Sequence, residues 1–142
     1  MNLSRALCLE SLLLIVIAGC GGGSGADPNN VTVSVSPSAV TIPANGQVTL
    51  QATVKGSSAI PALTWRIAEL QTNGASGAQC NWSTTTPPAG PCPDGTIQGA
   101  DGGSQTVIYL APSISGTFHV IAQDNVSLTV VKNGTAAITV SP

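Results

Sequence analysis

The chain has 142 residues, a formal net charge of −2 at neutral pH, and only 7% charged and 3% aromatic residues. A weakly acidic chain without a basic cluster lacks the electrostatic footprint of a nucleic-acid-binding protein. Few charges together with many Thr, Ser and Val residues favour an exported all-β protein, and the span 31–142 is long enough for one domain with one core.

An apolar segment near the N-terminus predicts export. Arg5 precedes the apolar run Ser11–Ala18, which is shorter than the ~20 apolar residues of a membrane-spanning helix, so we expect a processed signal. The sequence Ile-Ala-Gly-Cys at 17–20 resembles the lipobox of bacterial lipoproteins. The resemblance implies that residues 1–19 are a signal peptide removed before Cys20, whose thiol then carries a diacylglycerol. The alternative is an ordinary secretory signal whose cleavage site happens to precede this cysteine.

Residues 20–30 combine the predicted lipidated cysteine with a tether. The segment from Gly21 to Asn30 is too polar and too rich in glycine to pack, and ten such residues have a coil reach of roughly 17 Å. Two acyl chains suffice for stable attachment to a membrane. Gly21, rather than Asp, after Cys20 resembles outer-membrane sorting in some Gram-negative bacteria. We therefore expect a bacterial envelope protein, anchored by lipid in the outer membrane or at the cell surface.

The remainder of the chain alternates apolar and polar residues, the period of half-buried strands. Turn signals punctuate it at Asn45-Gly46 and at Asn133-Gly134, and we expect the second to join a strand Ser127–Val131 to a strand Thr135–Val140 as a hairpin. The pattern predicts an all-β fold, a sandwich of about seven antiparallel strands in two sheets. The other alternating segments are Val31–Val35, Val40–Ile42, Val48–Val54, Leu63–Ile67, Thr106–Leu110 and Phe118–Ala122.

Several short segments of this span are similar to bacterial Ig-like (Big-type) domains. The opening half contains Val33–Pro37, Pro43–Gln47, Leu50–Val54 and Leu63–Trp65, and the closing half contains Tyr109–Pro112, Gly116–Val120 and Ala137–Pro142. The resemblance implies an Ig-like β-sandwich over residues 31–142 with a loop insertion at 71–95. It also implies a role in adhesion, spacing or carbohydrate association, and it brings no catalytic residues.

The insertion contains the two cysteines that remain after Cys8 leaves with the signal and Cys20 is lipidated. In an oxidising envelope Cys80 and Cys92 are expected to form a disulfide, and closing a loop of this size stabilises by about 3 kcal/mol in the chain-entropy model. A metal site would need further His or Cys ligands. His119 is the only histidine in the chain, so we expect no metal and no other cofactor.

The two tryptophans are expected to differ in role. Trp65 lies on the third long strand, and the resemblance to an Ig-like sandwich implies that a Trp there packs between the sheets. Tyr109, before Ala111-Pro112, is likewise predicted to be a packing residue. Trp82 lies in the insertion beside Cys80. It is the candidate binding residue, able to stack on a sugar ring or anchor a partner. The other interpretation, which we favour, is that Trp82 packs as the core of its own loop.

No residue constellation predicts catalysis. His119 stands between Phe118 and Val120 and is expected to be an isolated surface side chain, while the acids at Asp94-Gly95, Asp101-Gly102-Gly103 and Asp124-Asn125 are typical of turns. The sequence therefore predicts a lipid-anchored, non-enzymatic envelope protein that displays one Ig-like domain as a binding or structural module. An envelope protein or a glycan is the possible partner. The alternative function is carbohydrate binding or adhesion through the Trp82 loop.

Overall fold

The structure of the protein is a computed structural model that describes residues 30–56, 63–69, 80–82, 92–124 and 131–142. The predicted signal peptide, Cys20 and the tether up to residue 29 lie outside the described residues. The described residues form nine strands: β1 Thr32–Ser36, β2 Ala39–Pro43, β3 Gln47–Lys55, β4 Leu63–Ile67, β5 Asn81–Trp82, β6 Thr96–Gln98, β7 Thr106–Leu110, β8 Gly116–Asp124 and β9 Lys132–Ser141.

The strands form two sheets, which confirms the predicted all-β, two-sheet fold. One sheet has five strands in the order β1-β3-β7-β6-β5, and the other has four in the order β2-β9-β8-β4. The expectation of about seven antiparallel strands is wrong in two respects. The described residues contain nine strands, and the pairs β2–β9 and β5–β6 are parallel.

The chain changes sheet between β1 and β2. Pro37 and Ser38 separate β1 from β2, and the two strands belong to different sheets. Pro37 has no N–H group to donate, so it cannot continue the β1 ladder. The chain crosses to the second sheet instead of turning back as a hairpin, and β2 joins β9 in the parallel sense.

The inner faces of both sheets bury the apolar half of each alternating segment. Trp65 is 1% exposed, and its indole Nε1 donates a hydrogen bond to the Ser104 carbonyl oxygen at 2.7 Å, which satisfies its polar atom inside the core. The predicted packing role of this residue is confirmed. The other large, fully buried side chains are Leu50, Ile67, Ile97, Val107, Tyr109, Val120 and Ile138.

One of the two Asn-Gly signals marks a turn and the other does not. Asn45 has a φ of 59°, and the Gly46 N–H donates to the Pro43 carbonyl oxygen at 2.9 Å, as predicted. The hairpin predicted at Asn133-Gly134 is wrong, because both residues lie inside β9. A Cβ at residue 134 would lie 3.0 Å from the Val33 carbonyl oxygen, a tight contact, so glycine suits the close approach of β1.

The described residues include no helix with the length and hydropathy needed to cross a membrane.

Candidate functional site at the disulfide-linked segment

The predicted cysteine pair has the geometry of a disulfide. The Cα atoms of Cys80 and Cys92 are 5.7 Å apart and their sulfur atoms are at bonding distance. The Cys80 side chain is buried in the core, whereas Cys92 is partly buried against it. Because the Gly95 N–H donates to the Cys92 carbonyl oxygen at 3.1 Å, a tight turn leads from this bridge directly into β6.

The residues after Cys80 form a strand, although the sequence predicts a loop throughout 71–95. Strand β5 pairs with β6 in parallel and, among the described strands, is the last of the five-stranded sheet, with Asn81 opposite Ile97 and Trp82 opposite Gln98. Strand β6 was also not predicted. The disulfide therefore ends at the edge of a sheet and attaches the described part of the insertion to the sandwich.

Asn81 connects the two sheets, and sequence reasoning did not identify it as a functional residue. Its partner position, Ile97, is fully buried, and the Asn81 side chain lies partly buried on the same side of the sheet. Its Nδ2 donates to the Trp65 carbonyl oxygen, at 2.7 Å, on β4 of the other sheet. Its Oδ1 is buried and has no hydrogen-bond partner in the structure. No local signal could reveal this contact, because the second sheet supplies the acceptor.

The backbone of Trp82 lies at the edge of the five-stranded sheet, in register with Gln98. Its side chain lies outside the described part of the structure. The two interpretations of Trp82, binding residue or core of its own loop, both remain predictions.

Tyr109 is held beside the turn that follows Cys92. The side chain is fully buried, as expected for a packing residue, and its hydroxyl donates to the Asp94 carbonyl oxygen at 2.8 Å. Burial raises the pKa of Tyr109 well above its ordinary value, and the negative charges of Glu69 and Asp94 raise this pKa further. Gly95 has a φ of +94°, and a Cβ there would lie 2.6 Å from the Tyr109 hydroxyl oxygen.

His119 is not isolated, which corrects the sequence-based expectation. Its Nδ1 lies 2.6 Å from Glu69 Oε1, and its backbone N–H donates to both carboxylate oxygens of Glu69 at 2.9 and 3.1 Å. The His119 side chain is 44% exposed and that of Glu69 is 25% exposed. Glu69 lies two residues after the end of β4 and is fifty residues from His119 in sequence, so alternation along β8 predicts the exposure of His119 but not its partner.

Three other acidic residues, Asp94, Asp101 and Asp124, lie in turns or at the end of a strand. Asp101 opens a tight turn, since its carbonyl oxygen accepts from the Ser104 N–H at 2.9 Å, as its sequence context predicts. Asp94 also lies in a turn, but it is buried. Asp124 is the last residue of β8, is buried, and lies opposite Lys132. Within the described ranges, no group of three or more His, Cys, Asp or Glu residues is arranged to hold a metal ion.

Comparisons with known proteins give no family. No protein-family model matches the sequence, and no curated protein is similar to it. A solved structure of a nucleoside hydrolase-related hypothetical protein from Saccharophagus degradans, described as associated with carbohydrate metabolism, is similar with a TM-score of 0.45 and 10% sequence identity. The similarity covers 78% of this chain and 25% of that chain. This chain thus spans about a quarter of the length of the other protein.

Proposed function

We propose that this chain is a lipid-anchored bacterial envelope protein that displays one Ig-like β-sandwich as a non-catalytic binding or structural module. The observation that carries the proposal is the sequence Ile-Ala-Gly-Cys at 17–20, followed within a few polar residues by a two-sheet β domain that begins at β1. A cysteine acylated at position 20 would attach that domain to the membrane surface through the tether.

The interior of the domain supports the finer, Ig-like interpretation. The motif segment Leu63–Trp65 lies in β4, and Trp65 packs between the sheets as the Trp of an Ig-like sandwich does.

The anchor is tested by determining the mature N-terminus. Mass spectrometry of the membrane-extracted protein should find a diacylglyceryl cysteine at position 20, and Cys20→Ala should abolish this species and change the membrane attachment. The matched control is Cys8→Ala, which removes a cysteine from the predicted signal peptide and should leave processing unchanged. An unmodified N-terminus at any residue other than Cys20 would contradict the proposal.

A second candidate function is carbohydrate binding or adhesion through the Trp82 loop. The observation that favours it is the position of Trp82 on β5, an edge strand whose backbone is fixed to the sandwich by the neighbouring disulfide. An aromatic residue there could contribute a stacking surface for a sugar ring.

Glycan-array binding and adhesion to whole cells test this second candidate. Trp82→Ala should abolish the signal, while Trp82→Phe, the matched control that keeps an aromatic ring, should retain part of it. Equal signals from wild type and Trp82→Ala would exclude Trp82 as the binding residue. If Trp82→Ala instead unfolds the protein as Trp65→Ala does, Trp82 is the core of its loop.

A further inference from the structure

We draw no further inference here: the strongest candidate, the partly buried apolar pair Ile108 and Leu110 on the outer face of the five-stranded sheet between β3 and β6, carries none because nothing in the structure shows what covers it.

Discussion

Replacing the only tyrosine tests how the turn after the disulfide is joined to the core. Tyr109→Phe keeps the ring and removes the hydroxyl that donates to the Asp94 carbonyl oxygen at 2.8 Å. A typical hydrogen bond contributes about 0.5–1.5 kcal/mol, and a buried acceptor left unpaired costs about 1–3 kcal/mol. We therefore expect Tyr109→Phe to lower the free energy of unfolding by about 1–3 kcal/mol at neutral pH.

The same hydroxyl should make stability depend on alkaline pH. Burial, reinforced by Glu69 and Asp94, raises the pKa of Tyr109 in the folded state. The unfolded chain releases the phenolic proton near pH 10, so it binds fewer protons than the folded chain above that pH. The contribution of Tyr109 is fully present below about pH 10 and is lost at about 1.4 kcal/mol per pH unit as pH rises towards the folded pKa. Phenylalanine has no proton to release, so the stability of the Tyr109→Phe variant lacks this pH dependence. The difference in free energy of unfolding between wild type and variant should therefore become smaller above about pH 10.

Urea unfolding at about pH 8 and about pH 11, followed by tryptophan fluorescence, measures both effects through the midpoint and the slope m. Subtracting the Tyr109→Phe values from wild type cancels the titration of the lysines. Because the chain has one tyrosine, tyrosinate absorbance reports this residue alone. The reasoning is refuted if tyrosinate forms near pH 10 in protein that is still folded, or if wild type and variant lose stability with the same pH slope.

Three further substitutions or measurements probe the core, the turn and the disulfide. Trp65→Ala should lower the free energy of unfolding by about 3–5 kcal/mol in urea, and a change below about 1 kcal/mol would contradict its core position. Gly95→Ala should destabilise more than Gly102→Ala, since both have positive φ but only residue 95 lacks space for a Cβ; equal midpoints would contradict this. Thiol titration of unfolded, unreduced protein should find almost no free thiol at Cys80 and Cys92. Two free thiols would mean that a contact other than a disulfide holds the segment between them.

The strands that were predicted from the sequence are those in which apolar and polar residues alternate along the strand itself. In β3 and β8, alternate residues face the core from Val48 to Val54 and from Phe118 to Ala122, so the period is visible without knowledge of the partner strands. Trp65 lies in another alternating segment, and the core position that the resemblance to Ig-like domains implied for it is confirmed by its burial. Alternation gives the inner face of each strand, and this was enough to predict two packed sheets.

The elements that the sequence did not predict depend on distant partners. Strands β5 and β6 have two and three residues, too few to show a period, and they are held by each other, by β7 and by the Cys80–Cys92 bridge. The hydrogen bond from Asn81 to the Trp65 carbonyl oxygen and the Glu69–His119 contact join residues on different segments of the chain. Their geometry follows from which strands become neighbours, and residue spacing does not encode it.

The wrong hairpin prediction at Asn133-Gly134 also shows that local structure depends on distant strands, here within a single pair of residues. A tight hairpin turn of this type uses positive φ at its central residues, and Asn45 adopts such a value at the other Asn-Gly pair, whereas neither Asn133 nor Gly134 does. Glycine has two distinct uses, an unusual φ and the absence of a side chain. Residue 134 fits the second, because the β1 backbone at Val33 passes directly over it. Choosing between these uses requires knowing that β1 lies against β9, which is a property of the assembled sandwich rather than of either strand.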